Sequence, residues 1–168
     1  MDKPYIVGLY TAPQAGAPIQ PCDWIDVQPE SGVAGDRYAL KLGYWSDPRW
    51  PDQEVTLVES EVAEALAIDP ALLRRNIATI GVRLDDLIGV TFEIGVATLT
   101  GVRRCDPCLH LEELTRPGLM RKLGTRGGLR ARVLVGGRIA LGDSIRARAA
   151  DQPAANTAAP NTTARFIR

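Results

Sequence analysis

The sequence has little cysteine, histidine or aromatic content: 168 residues include three cysteines, one histidine and 5% aromatic residues. A chain of this length buries roughly 70% of its unfolded surface without crosslinks, so no disulfide framework is needed. No apolar run approaches the roughly 20 residues of a membrane helix. The amino terminus interrupts its apolar stretches with Pro and Gly, and therefore lacks the core of a signal peptide. These absences predict one soluble, cytoplasmic domain with reduced thiols.

Net charge is also absent, because 20 basic residues balance 20 acidic ones. This balance argues against a surface that coats nucleic acid or an anionic membrane. The charges are nevertheless unevenly placed. Residues 1–69 carry 12 acids and 4 bases, whereas residues 70–150 carry 7 acids and 14 bases, 13 of them Arg. Because the rigid guanidinium fork suits oxyanions, the arginine excess indicates a small anionic ligand.

Hydrophobic patterning predicts a mostly β fold with two or three short α-helices. Short runs rich in β-branched and aromatic residues predict strands at residues 5–10 and 54–58. Residues 59–67 favour a helix, and Asp69 followed by Pro70 is typical of an N-cap that opens a second short helix through Arg74. Alternating apolar residues then predict strands around 90–94 and 129–135.

Glycine turns punctuate the later strands. Gly136-Gly137 predicts a tight hairpin between the run at 129–135 and the run at 138–141, and Gly142-Asp143 predicts a second turn before 144–148. Many short strands without regular strand–helix alternation favour a β-barrel-like core. We therefore expect a single domain over residues 1–148, followed by a disordered tail at 149–168 that has almost nothing to bury.

The densest group of chemically reactive residues is Arg103-Arg104-Cys105-Asp106-Pro107-Cys108-Leu109-His110. Two thiols three residues apart can chelate a metal, form a disulfide, or act as attacking and resolving thiols, and the two arginines favour the thiolate form. A structural zinc site would need Cys22 or a carboxylate as its fourth ligand. A thioredoxin-like pair would need a βαβ unit, which the pattern here does not predict. Two cysteines buried in a turn remain a further reading.

Four other segments, and the single histidine, provide further candidate functional residues. Arg74-Arg75-Asn76 suits a phosphate, or else its arginines pair with Asp85 or Asp86. Gly35-Asp36-Arg37 is a turn closed by an ion pair, or a loop that presents Arg37 to a ligand. The aromatic residues at 38–50 form a small core or wall a pocket for a flat heterocycle. The glycines before Arg130 allow the backbone to approach an anion. His110, the single histidine, is a catalytic residue or a spectator.

The order of these segments resembles the MOSC family, named after the C-terminal domain of molybdenum-cofactor sulfurases, over about residues 5–148. The resemblance depends mainly on the Gly-Asp-Arg, Arg-Arg-Asn and Pro-Cys elements, and on the glycine-flanked strands that follow them. It implies a β-barrel-like fold that handles the molybdenum cofactor (molybdopterin) or its sulfur. The implied activity is reduction of N-hydroxylated compounds or sulfur transfer.

By the same resemblance, Cys108 is the reactive cysteine, which ligates molybdenum as a thiolate or carries a persulfide. Cys105 is then a resolving thiol, a second sulfur acceptor or a packing residue. The cofactor's anionic groups are expected near arginines and one amide: Arg37, Arg75, Asn76, Arg104 and Arg130. Pyridoxal phosphate would enter only through a separate cysteine desulfurase, and electrons through a separate electron-transfer protein.

Three hypotheses follow from the sequence: a molybdenum-cofactor-binding protein, a metal-free persulfide carrier, and a zinc-bearing or metal-free interaction module. The first hypothesis makes one geometric prediction. The arginines beside the family-like motifs should converge on one pocket that holds Cys108; these are Arg74, Arg75, Arg103, Arg104, Arg126 and Arg130.

Overall fold

The computed structural model of the chain describes residues 2–149, and these form a mostly β structure with three short α-helices. The predicted tail at 149–168 lies, apart from residue 149, outside the described residues. The strands are β1 (Tyr5–Thr11), β2 (Gln20–Pro21), β3 (Trp24–Gln28), β4 (Gly32–Val33), β5 (Val55–Glu59), β6 (Ile77–Ile80), β7 (Thr91–Ile94), β8 (Ala97–Arg104), β9 (Leu129–Val135), β10 (Gly137–Ala140) and β11 (Ile145–Ala147). The helices are α1 (Ser60–Ala65), α2 (Leu109–Glu113) and α3 (Leu119–Leu123), and 3₁₀ turns span Pro70–Leu73 and Leu84–Leu87.

Eight strands form one curled sheet in the order β11-β7-β8-β9-β5-β6-β1-β2. Only the β5–β6 pair is parallel, because α1 and the first 3₁₀ turn carry the chain back across the sheet between these two strands. The start of β1 also meets the chain just before β11. Tyr5 pairs with Ser144 there, and the Ile6 amide donates to the Asp143 carbonyl at 2.9 Å. The sheet therefore curls into the expected barrel-like shape around an apolar interior.

Strand β5 is buried on both faces, which places two cores back to back. Val55 and Leu57 point into the barrel interior, whereas Val58 joins a second cluster with residues of all three helices. Alternation of side chains along a strand explains this division. The helices therefore cover one outer face of the barrel beside β5 and β6. Within residues 2–149, no helix has the length and apolar character needed to cross a membrane.

The predicted strands at 5–10 and 54–58 and the helix at 59–67 are present with small changes in their ends. The predicted cap is also present, since the Asp69 carboxylate accepts from the Ala71 amide at 2.9 Å, although the element that follows is a 3₁₀ turn. The prediction of a tight hairpin at Gly136-Gly137 is wrong. β10 pairs with β3 in a separate three-stranded sheet, β10-β3-β4. A Cβ on Gly136 would lie 2.7 Å from the Val27 carbonyl oxygen, so this glycine permits a close backbone approach.

Candidate functional site

The candidate site lies on the outer face of β5 and β9, beside the helical cluster. Thr56 on β5 and Arg130 on β9 stand directly opposite each other in the antiparallel ladder. Their neighbours Val55, Leu57 and Leu129 point into the barrel, so alternation turns Thr56 and Arg130 outward. Both side chains are nevertheless buried, because other segments cover this face.

Two loops and α2 build a small recess over this pair. The recess has a cavity volume of about 40 Å³, room for a few water-sized groups, and opens to solvent. It is lined by Arg37, Tyr38, Tyr44, Trp45, Thr56, Arg74, Arg75, Asp106, Cys108, His110, Leu111 and Arg130. We call it the cationic pocket, since four guanidinium groups line it and the only carboxylate among its lining residues is that of Asp106.

Arg37 is held in the Gly35-Asp36-Arg37 turn, for which the sequence allowed two interpretations. Its Nη1 donates to the buried Asp36 carboxylate at 3.0 Å, and its Nη2 donates to the Arg74 carbonyl at 3.0 Å. The Asp36 carboxylate also accepts from the Ala12 amide at 3.0 Å. The ion pair that closes the turn is therefore confirmed, and Arg37 also lines the cationic pocket.

Arg74 ends the first 3₁₀ turn in a left-handed backbone conformation, with φ 59° and ψ 30°. Its Nη1 donates to the Ala17 carbonyl at 2.8 Å, and its buried Nη2 has no hydrogen-bond partner in the structure. Burial, and then repulsion from Arg37, lower the pKa of Arg74. A non-glycine residue in this conformation persists only where its surroundings fix it.

Arg75 connects the loop that carries Cys105 and Cys108 to the loop that precedes β9. Its Nε donates to the Gly127 carbonyl at 2.9 Å, and its Nη2 lies 3.5 Å from the Cys105 carbonyl. Gly127 has to be small, because a Cβ there would lie 2.4 Å from the Cys105 carbonyl oxygen. Gly127 therefore lets the loop carrying Cys108 pack against the segment before β9, whereas Gly128 allows a close approach to the Leu57 carbonyl on β5.

Arg130 is buried to about nine-tenths, with 8% of its surface exposed. Its Nη1 donates to the Gln53 side-chain oxygen, and its buried Nε has no hydrogen-bond partner in the structure. Among the described residues, neither Arg74, Arg75 nor Arg130 forms an ion pair with a carboxylate. A buried cation without a counter-ion is costly, and an anionic ligand would offset that cost.

Asn76 does not line the cationic pocket. Its side-chain oxygen accepts from the Thr56 amide at 3.1 Å and from the Thr56 hydroxyl at 3.2 Å, and its Nδ2 donates to the Tyr10 carbonyl at 3.3 Å. Only 2% of the residue is exposed. The amide thus ties β1 and β5 to the start of β6, and the geometry does not favour the expected contact with a cofactor anion.

Three of the six arginines expected to converge on Cys108 do not reach it. Arg103 lies 3.8 Å from Asp52, Arg104 lies 2.7 Å from Asp85, and Arg126 lies 3.6 Å from Glu59. The prediction of convergence is therefore correct for Arg74, Arg75 and Arg130, and wrong for Arg103, Arg104 and Arg126. The alternative partner proposed for Arg74, Asp85, is instead the partner of Arg104.

The two cysteines of the motif occupy different environments. Cys108 immediately precedes α2, is partly exposed, and lines the cationic pocket, whereas Cys105 is fully buried and does not. Cys22 packs against the barrel core, with its sulfur 3.6 Å from the Thr11 hydroxyl. Residues 2–149 contain no cluster of three or more His, Cys, Asp or Glu that would hold a metal ion. The described residues therefore provide no ligand set for the zinc hypothesis.

The aromatic segment forms the rim of the cationic pocket. The Tyr44 ring stacks on His110 with centroids 3.9 Å apart, and Trp45 packs edge-on against Tyr44 at 4.9 Å and against Trp50 at 5.1 Å. Burial, and then the charge of Arg74, lower the pKa of His110. Tyr38, Tyr44 and Trp45 wall the pocket, whereas Trp50 does not line it. Because Tyr44 keeps 54% and Trp50 keeps 48% of its surface exposed, the segment is a stack of rings at the surface rather than the small core that the sequence also allowed.

The sequence assigned no functional role to three pocket residues: Thr56, Asp106 and Leu111. Thr56 carried a usable signal, because it is the polar residue between two apolar ones on a predicted strand. Asp106 and Leu111 reach the pocket through the course of a loop and a short helix, which the sequence does not specify. As a whole, the site combines one accessible thiol with a set of buried cations, a pairing suited to an anionic ligand that carries a soft metal or sulfur.

Comparisons with known proteins agree with this fold. A family model described as the MOSC domain matches residues 50–146, more than half of the chain. No curated protein sequence matches the chain.

Several solved structures share the fold. The YuaD protein of Bacillus subtilis superposes with a TM-score of 0.69 at 21% identity, covering 87% of this chain and 96% of that one. YiiM of Geobacillus stearothermophilus gives 0.66 at 16% identity, covering 87% and 75% of the two chains. YiiM of Escherichia coli gives 0.64 at 18% identity, covering 88% and 71%. At these identities the likeness concerns the fold.

Proposed function

Because the chain belongs to the MOSC domain family, we propose that it binds the molybdenum cofactor in the cationic pocket, with Cys108 as the thiolate ligand of the metal. Arg37, Arg75 and Arg130 would surround the cofactor's anionic groups. The observation that carries the proposal is the meeting of a partly exposed thiol with three arginines, Arg74, Arg75 and Arg130, that lack a carboxylate partner among the described residues.

The residues of the pocket fit such a group. A cysteine thiolate is a soft ligand of the kind that transition metals with sulfur ligands accept. The buried Nε of Arg130 has no partner, so an anionic group placed beside it would supply the missing acceptor. The enclosed volume of about 40 Å³ admits only one end of an organic cofactor, and the rest would lie along the open side.

Each pocket residue then has a definite task. When bound, the cofactor would supply two-electron redox chemistry. Arg75 would tie the loop that carries Cys108 to the segment before β9, and Arg130, which has no carboxylate partner among the described residues, would neutralise negative charge beside the Asp36-paired Arg37. The Tyr44–His110 stack would cover one side of the pocket. Electrons for reduction of an N-hydroxylated compound are expected from a separate electron-transfer protein.

Metal analysis of the full chain, produced in a host that makes the cofactor, tests the proposal. We expect near-stoichiometric molybdenum and a fluorescent pterin after oxidative extraction, both lost in Cys108→Ser. Cys105→Ser is the matched control, since Cys105 is buried away from the pocket and its substitution should leave the molybdenum in place. Metal-free wild-type protein from such a host would refute the proposal.

A persulfide carrier is a second candidate, favoured by the isolation of Cys108 as the one thiol among the pocket's lining residues. In that reaction the Cys108 thiolate attacks the outer sulfur of a desulfurase persulfide. The donor's S–S bond breaks, its cysteine leaves as a thiolate, and Cys108 holds the transferred sulfur. Mass spectrometry after incubation with a pyridoxal-phosphate desulfurase and cysteine should show a gain of about 32 Da, absent in Cys108→Ser. An unmodified wild-type mass would exclude this reading.

A further inference from the structure

An apolar groove of about 600 Å³ lies next to the cationic pocket. Its walls come from the loop after β1, the first 3₁₀ turn and the end of α2, and the apolar members include Pro18, Ile19, Pro21, Leu72 and Leu114. The volume is within the range of small-molecule sites. Leu72 keeps 49% and Leu114 keeps 38% of its surface exposed, so apolar area remains for a ligand to cover.

Two elements belong to the walls of both cavities. Arg74 lines the groove as well as the cationic pocket, and its Nη1 donates to Ala17 in the loop that forms the groove's far side. Helix α2 contributes Leu111 to the pocket, and Leu114, one turn later, to the groove. The groove therefore leads toward the cationic pocket and ends at a guanidinium group.

The charges along the groove are ordered. Its two charged lining residues are Asp69 and Arg74, at opposite ends of the first 3₁₀ turn. Asp69 is engaged, because its carboxylate caps that turn through the Ala71 amide. Arg74 has a buried, unpartnered Nη2 and forms no ion pair with another described residue. A ligand with one negative end would complement the Arg74 end.

We propose that this groove binds the apolar body of an organic anion whose carboxylate is held by Arg74. The further claim that this anion is a substrate, presented to the cationic pocket, rests on the proposed function. The binding itself does not require molybdenum, since every residue named belongs to the protein.

The test uses 4-phenylbutyrate, which carries a carboxylate on an apolar body, and titrates it into the full-length, metal-free protein by calorimetry and ligand-observed NMR. Arg74→Gln removes the charge and should weaken binding roughly tenfold or more, the usual effect of a lost charge-assisted hydrogen bond. Leu72→Ser with Leu114→Ser removes apolar wall area and should also weaken binding about tenfold. Thermal melts check that each variant is folded.

Two control ligands and one control variant sharpen the result. The neutral analogue 4-phenylbutanamide and the short anion acetate should each bind much more weakly than 4-phenylbutyrate. Leu134→Ser changes a leucine of similar exposure, 47%, on β9 outside the groove, and should leave the affinity unchanged.

Equal affinity for the amide and the carboxylate, or an affinity insensitive to the Leu72 and Leu114 substitutions, would overturn the inference. Because the titration needs no metal, its failure leaves the molybdenum analysis of the proposed function intact. Likewise, metal-free protein in that analysis leaves a positive titration standing.

Discussion

Replacing Asn76 with alanine should destabilise the protein without removing any side chain from the wall of the cationic pocket. The substitution deletes three hydrogen bonds, two accepted from Thr56 and one donated to Tyr10. The Thr56 amide and the Tyr10 carbonyl would lose these partners in a region where Asn76 is 2% exposed. At about 1 kcal/mol per bond, the expected loss is about 3 kcal/mol. For a domain of this size, that corresponds to a fall in Tm of about 6–12 °C.

Urea unfolding at neutral pH, followed by circular dichroism, measures this loss directly. Thr79→Ala is the matched control, since Thr79 is also buried, lies on β6, and makes one long hydrogen bond, 3.4 Å to the Val58 carbonyl. The control should cost about 1–2 kcal/mol. If Asn76→Ala costs no more than Thr79→Ala and at the same time abolishes binding of inorganic phosphate, then Asn76 contacts the anion and the assignment to strand anchoring is wrong.

Three further predictions concern pH, backbone space and charge. Burial and the charge of Arg74 lower the pKa of His110, so the unfolded chain takes up this proton first as pH falls below about 6.5, and the free energy of unfolding should decrease there. His110→Phe keeps a ring against Tyr44 and should flatten this pH dependence in urea titrations. An unchanged pH dependence in the variant would contradict the prediction. Gly128→Ala should lower Tm far more than Gly35→Ala. Both glycines have positive φ, but only at Gly128 would the new Cβ clash with another atom, the Leu57 carbonyl oxygen at 2.1 Å. Equal decreases in Tm for the two variants would contradict this prediction. Arg104→Gln should leave molybdenum content unchanged while Arg130→Gln lowers it, and loss of metal from the Arg104 variant would restore Arg104 to the site.

Strand alternation was the most reliable guide to the site. The run at 129–135 places Leu129 and Ala131 on one face and Arg130 on the other, and the structure has this arrangement. The N-cap at Asp69 was equally predictable, because its carboxylate and the following proline act within one turn. Such features depend on residues a few positions apart, so they can be read from the chain itself.

Features that depend on distant segments were not accessible in this way. Arg103 and Arg104 precede the cysteine pair in sequence, yet their partners Asp52 and Asp85 come from other elements that the sequence does not place. Gly136 suggested a turn, although it serves the approach of β3 instead. A glycine needed for close packing and one needed for a turn look alike until the neighbouring strand is known.

The junction between β1 and the segment before β11 has a consequence for how the protein acquires its shape. Tyr5 pairs with Ser144, and Ile145 donates its amide to the Pro4 carbonyl at 2.9 Å, so this junction joins segments far apart in the sequence. Contacts of such high sequence separation slow folding, because the entropy of closing a long loop has to be overcome before they form. During synthesis, the start of β1 can pair with β6 on one side, but its other edge stays unpaired until residues 142–145 have left the ribosome. Release of that last segment therefore sets the earliest moment at which the barrel can close.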